Sequence, residues 1–431
     1  MNQENEHTQF VPRVQRIWSG EEISRKILPC ILNIGESLMR AGADVNHVER
    51  LIERLGIAYG AKHMNVFVIT ESIIVTMTIS DGREYTQTRR VGPTEINFYK
   101  LECLNKLCRS VHHMPLPPDE LQARFREIDG EARTTSWIYV GAFLVVAGYS
   151  AFFGGTIPEI IVSSLFSLVL CFLVEKLSKK TPNLIGFNFI ASFIMGVLIG
   201  IMTKVFPSLT VDTMISGVIM VIIPGLAITN SIRDMLSGDT LAGLLRFAES
   251  FLWTVAMVFG FTIALMLLGL TVHTNISIAP WRVKYIAIIP ATLGLLLYYY
   301  SRRRLMIYGF VGALISFPVY VFVENINPPN EFLPVLAASF VAAVYAEIFA
   351  RRMRVPTSVF FVVAIMPLIP GRLLFSTVTF LVQGNYELAG QIGSTAALTS
   401  LGIATAICIV WTISRTWENF HINQRIADII H

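Results

Sequence analysis

From Trp137 onward the chain alternates long apolar stretches with short polar links, and ten of the stretches can cross a hydrocarbon core of about 30 Å, which takes about 20 residues. They run approximately over 137–154, 158–174, 184–203, 211–228, 247–270, 282–300, 305–323, 332–350, 356–380 and 392–413. The pattern before them is different. Ile27, Ile31, Ile34 and Leu38 recur at helical spacing, Gly42-Ala43-Asp44 interrupts, and Val45, Val48, Ile52 and Leu55 resume it, which predicts two helices with Asp44 as the N-cap of the second. Met64 to Thr70 and Ser72 to Ile79 are β-branched runs, and the second turns through Asp81-Gly82 into Glu84 to Val91 as a hairpin would. A further amphipathic helix is predicted over 95–112, and Pro117 and Pro118 precede a charged helix leading to the first apolar stretch.

Two of the apolar stretches carry the same interruption. IMVIIPG spans Ile219 to Gly225, and IMPLIPG spans Ile365 to Gly371, 146 residues later, with five of seven residues shared. Twelve residues then separate Gly225 from Gly238, and twelve separate Gly371 from Gly384. The motifs fall in the fourth and ninth segments, so each repeat is five helices long, and an odd repeat inserts upside down relative to its partner. The expected fold is a polytopic α-helical membrane protein of about ten transmembrane helices in two inverted five-helix repeats, preceded by a small cytoplasmic α+β domain. The expected boundaries are a polar tail over 1–20, the α+β domain over 21–133, membrane repeats over 134–275 and 276–414, and a cytoplasmic tail over 415–431.

Charge placement supplies an orientation. The first 136 residues hold 35 of the 64 charges, leaving 29 for the remaining 295. In the membrane region thirteen Lys and Arg fall in alternate links and the tail (Lys176, Lys179, Lys180, Arg233, Arg246, Arg302, Arg303, Arg304, Arg351, Arg352, Arg354, Arg415, Arg425), against three on the other side (Lys204, Arg282, Lys284). Cytoplasmic links retain basic residues, so both termini are expected in the cytoplasm of a cell whose plasma membrane the chain spans. The first twenty residues contain no secretory signal pattern. The net charge of +4 reflects this topology and gives no case for nucleic acid. Five scattered cysteines match no metal spacing and read as free packing residues.

The Pro-Gly breaks are the candidate binding site. A proline inside a helix removes one hydrogen bond and costs about 3 kcal/mol, and paired interruptions in two halves of a membrane protein point to a transporter site. Pro224 and Pro370 should free the carbonyls of Met220 and Met366. Helices restarting after Gly225 and Gly371 should aim positive N-terminal ends into the site, favouring carboxylates. Arg372 follows the second break; it reads as a carboxylate clamp, or as a structural arginine that snorkels towards the outer surface or pairs with a neighbour such as Glu387. Asn230, Arg233, Asp234 and Asp239 follow the first break and read as a polar gate, or as a solvated cytoplasmic loop. Glu249 and Glu347, near the cytoplasmic surface, are proton-coupling candidates, with ion pairs to Arg246 and Arg351 as the structural alternative. Expected partners are a small carboxylate or amino-acid substrate, protons and the bilayer, with a homo-oligomer open; no cofactor is implied.

Glu36, Asp44, His47 and Glu49 cluster in the N-terminal region and raise a second class, a membrane-anchored enzyme, although an N-cap and a helix face account for them. No HExxH, GxSxG or phosphate loop occurs. A third class is a passive channel.

ESLMRAGADVNHVERLIERLGIAYG followed by VFVITESIIVTMT, then PGLAITNSIRDMLSGDTLAGLLRFAES from Pro224 to Ser250, and finally IMPLIPG, together resemble the threonine/serine exporter family over nearly the whole chain. The resemblance implies ten membrane helices after a cytoplasmic domain and export of threonine and serine driven by the proton motive force. The family also occurs as two separate proteins, associated with export of succinate-like dicarboxylates, so dicarboxylate cargo is the alternative.

Overall fold

The computed structural model describes residues 18–131, 135–177, 183–271, 279–326 and 331–430. The expected tail over 1–17, the boundaries near 133 and 275, Lys179 and Lys180 lie outside them, as do the side chains of Arg415 and Arg425.

The N-terminal elements form an α+β layer. After a helical lead-in over 20–27, α1 (Leu28–Arg40) and α2 (Val45–Ala58) pack their apolar faces together, and the Asp44 side chain accepts from the His47 amide at the start of α2. A three-stranded antiparallel sheet follows in the order β1 (Ala61–Ile69), β2 (Ser72–Ile79), β3 (Glu84–Arg90). Phe67 pairs with Ile74 and Thr76 with Thr86. Val68, Ile73, Val75 and Met77 are buried in a core shared with Ile31, Ile34, Leu38 and Ile52. Next come α3 (Phe98–His113) and α4 (Pro118–Gly130).

The apolar region is a helical bundle of two halves with one element pattern. The first half is α5 (Thr135–Phe152), α6 (Ile157–Leu177), α7 (Leu184–Val205), the broken pair α8 (Val211–Ile219) and α9 (Gly225–Leu236), and α10 (Thr240–Leu267). The second is α11 (Trp281–Tyr298), α12 (Arg303–Ile326), α13 (Phe332–Met353), the broken pair α14 (Ser358–Ile365) and α15 (Gly371–Val382), and α16 (Tyr386–Ile430). The packing repeats too: α7 against α10 matches α13 against α16, and α6 against α8 matches α12 against α14. Each long final helix also flanks the other half's short one, α10 on α15 and α16 on α9.

Of the ten expected crossings, seven are single helices long and apolar enough among the described residues, and an eighth is α14 with α15, bent by 51°. The other two expected crossings fall on α5, a shorter apolar helix, and on the α8–α9 pair, and neither is long and apolar enough by the same measure, so seven or eight of the ten are borne out. The fourth and ninth segments are therefore not continuous helices: proline and glycine halt the intrahelical ladder, as their chemistry requires. Large apolar side chains such as Ile157, Phe172, Leu267 and Phe322 are exposed on the outer surface, as suits contact with lipid. Where α5 crosses α11, Gly141, Gly148 and Gly294 bring backbones together; a Cβ at Gly148 would lie 2.5 Å from the Ala291 nitrogen. Small residues at a helix crossing permit this approach.

Candidate functional site

Each break consists of a short helix ending, a tight turn and a helix beginning at the glycine. Pro224 (φ −81°, ψ 40°) and Pro370 (φ −78°, ψ 39°) hold the same backbone conformation and stand as N-caps of α9 and α15, both twelve residues long. The restart is at Gly225 and Gly371, one residue earlier than expected. The Met366 carbonyl is not fully freed: it accepts from the Ile369 amide at 3.4 Å through a 3₁₀ turn over Met366–Leu368.

The two breaks meet in the interior. Pro224, Gly225, Pro370 and Gly371 are all buried. A Cβ placed on Gly225 would lie 2.6 Å from Ile369 Cγ2 and 3.5 Å from Gly371 Cα; one placed on Gly371 would lie 2.9 Å from Ile223 Cγ2. Each glycine thus receives the isoleucine that precedes the other glycine by two residues. The contact is reciprocal, and only glycine leaves room for it. The first amides of α9 and α15 have no intrahelical acceptor ahead of them, so both helices turn their positive ends toward the crossing.

Around this crossing the sequence candidates divide. Arg372, in the first turn of α15, is half-buried, with its guanidinium carbon 4.8 Å from the Phe153 ring centroid and in the field of Asp212 at the start of α8. Asp212 takes the place expected of Glu387, which lies exposed at the start of α16. Phe153 stacks on Tyr149, which is 2% exposed and whose hydroxyl has no partner among the described residues. Asn230 is half-buried on α9, about 7 Å along the helix from Gly225.

Arg233 and Asp234 are elsewhere, about 12 Å or more from Gly225 along α9, and Asp239 lies in the link beyond that helix. They are not a solvated loop. Asp234, 2% exposed, receives Arg233 Nη2 at 2.9 Å and Arg246 Nη1 at 2.7 Å. Asp239 accepts from Asn46 Nδ2 of the α+β layer, so this segment is a junction with that layer. Arg233 also lies close to Asp44: burial pushes the Asp44 carboxyl up, but Arg233, His47 and Arg50 outweigh it and hold it below 3.8. Burial of His47, whose Nε2 is 2.7 Å from Asn105 Oδ1, holds it below 6.5. Glu49 accepts from the Val68 amide at 3.0 Å. These contacts give Asp44, His47 and Glu49 structural work, as the N-cap and helix-face reading expects.

Of the two carboxylates considered for proton coupling, Glu347 is tied down by Arg351 Nε at 2.8 Å, Ser414 Oγ at 2.6 Å and Thr357 Oγ1 at 2.9 Å. This matches its structural alternative. Glu249 is half-buried on α10, within the fields of Glu71 and Arg246.

Several residues escaped the sequence reading. Glu159, 2% exposed, accepts from the amide and hydroxyl of both Thr156 and Thr210 at 2.6–2.9 Å, joining the starts of α6 and α8. The Thr156-x-x-Glu159 capping spacing could have found it. Glu102, 4% exposed, binds Arg304 at 2.6 Å and Arg302 at 3.3 Å across about two hundred residues of sequence, a pairing with no local signal.

A bundle of several long apolar helices with two facing broken ones has the architecture of a multi-pass membrane protein. Residues 29–268 match the family described as "Putative threonine/serine exporter", and residues 284–413 match the one described as "Threonine/Serine exporter, ThrE". The chain belongs to the threonine/serine exporter family. It is 20% identical over 360 residues to the threonine/serine exporter of Corynebacterium glutamicum, covering 79% of this chain and 73% of that one. It is also similar to proteins named "Probable succinate transporter subunit YjjP". That of Klebsiella aerogenes is 26% identical, covering 58% of this chain and 95% of that one. That of Escherichia coli K12 is 25% identical, covering 58% and 97%. No solved structure matches.

Proposed function

We propose that the chain is a secondary exporter of small hydroxy amino acids, threonine and serine, moved out of the cytoplasm against an inward flow of protons. The two five-element halves then act as inverted repeats, with the crossing of Gly225 and Gly371 near the membrane midplane and the α+β layer and both termini on the cytoplasmic side. The reciprocal glycine–isoleucine contact carries this reading: two equivalent helix starts converge on one buried point, where a carboxylate is favoured and where the halves can exchange roles.

Arg372 and Asn230 flank the crossing and orient cargo, while Arg233, Asp234 and Asp239 act at the cytoplasmic junction as a gate. Glu249, less tethered than Glu347, is the better carrier of the coupled proton. Dicarboxylate cargo is the rival, since two relatives bear succinate in their names. The proximity of Asp212 to Arg372 favours the amino acid, because one fixed cation beside one fixed anion complements a zwitterion.

Proteoliposomes loaded with labelled threonine or labelled succinate and placed in acidic medium test it. Threonine should leave, and an uncoupler should slow it. Retention of threonine while succinate leaves would overturn the cargo, and efflux indifferent to the proton gradient would overturn the coupling.

A further inference from the structure

Away from the crossing, α2 and β1 form an open hollow of about 200 Å³ lined by Asn46, Glu49, Arg50, Glu53, Met64 and Val66. At ~30 Å³ per water this is the room of roughly seven waters, enough for a molecule of amino-acid size. Its lining is mixed. Arg50 supplies a cation suited to a carboxylate, Glu49 and Glu53 supply anions suited to an ammonium, and Met64 with Val66 supplies an apolar wall. Glu49 and Glu53, four residues apart, share one face of α2, so one ammonium can meet both carboxylates.

The same α2 side chains reach the bundle. Asn46 donates to Asp239, in the link between α9 and α10. Arg50, one helical turn on, lies 5.4 Å from the Trp411 ring centroid on α16. Those two contacts fall on α10's start and on α16, the helices that flank the short pieces of the opposite halves.

We propose that this hollow is a second site for a free α-amino acid, distinct from the central crossing, and that its occupancy is passed to the bundle through Arg50–Trp411 and Asn46–Asp239. A bound carboxylate competes with Trp411 for the Arg50 guanidinium, so the α+β layer reports the amino-acid level on its own side to both halves. The ligand is read from the lining and does not depend on what the crossing transports.

The test is titration of the full-length protein in detergent micelles with L-threonine, reading tryptophan emission, with Trp411→Phe used to isolate the Trp411 signal. A saturable change is expected for threonine and none for succinate. Glu53→Gln, at an exposed position, should weaken the response about fivefold, the most that an exposed ion pair contributes; Glu49→Gln should weaken it more. Arg372→Gln, at the crossing, should leave it in place. No threonine response, a response untouched by both glutamate substitutions, an equal response to succinate, or a response abolished by Arg372→Gln would each overturn the inference. Failure of threonine efflux in vesicles with this signal intact would count against the transport reading alone.

Discussion

Gly225→Ala puts one methyl into the crossing. The new Cβ would stand 2.6 Å from Ile369 Cγ2, about 1 Å inside the 3.5–4.0 Å at which carbons attract. Overpacking a dense interior costs about 1–3 kcal/mol; alanine's helix propensity returns up to about 1 kcal/mol, less at a first helical position. The net is about 1–2 kcal/mol, or roughly 5- to 30-fold in the folded ratio. Ile369→Ala removes the clashing methyl at its own cost of about 2–5 kcal/mol, after which the nearest atom to the alanine is Gly371 Cα at an ordinary 3.5 Å. Gly225→Ala should therefore be close to neutral in the Ile369→Ala background, a coupling of about 1–2 kcal/mol. The readouts are thermal unfolding in detergent and threonine efflux for the four proteins of the cycle. Gly390→Ala, with open space around its Cβ, is the control and should change little. Equal effects of Gly225→Ala with and without Ile369 would refute the crossing.

Asp234→Asn strands two largely buried guanidiniums and should cost about 3–5 kcal/mol in unfolding experiments; a loss under about 1 kcal/mol would contradict the burial described. Arg372→Gln should reduce threonine efflux at least about tenfold if Arg372 binds the cargo carboxylate, with unfolding temperature little changed; unaltered efflux would remove it from the site. His47 is held below 6.5 by burial, so the unfolded chain takes up that proton first. Stability from this group is complete above about pH 6.5 and falls as the pH drops through that value toward the folded one; a pH dependence identical in His47→Gln would exclude this source.

The elements were largely legible where their causes are local. Asp44 caps α2 because its carboxylate sits three residues from the amide it accepts, and Asp81-Gly82 turns β2 into β3 because glycine takes φ +84°. The two Pro-Gly motifs gave away the breaks by their repetition. Partners across the fold were not legible. Arg302 and Arg304 read as topology markers, yet they fasten a buried Glu102, and Arg372 meets Asp212 in place of the sequence neighbour Glu387. Arg233 and Asp234, adjacent to a motif in sequence, stand away from it because a helix carries the chain 1.5 Å per residue.

Among the described residues the α+β layer is fastened to the α9–α10 link through Asn46, to α16 through Arg50, and to the α11–α12 link through Glu102 and the backbone bonds of Phe98 and Tyr99 to Tyr299 and Tyr300, with Arg233 of α9 close to Asp44 as well. These anchor points belong to both halves of the bundle. If the halves rock against each other as proposed, the stroke must drag, flex or unfasten this bracket, and the stiffness of the α+β module would then govern how far the bundle can swing.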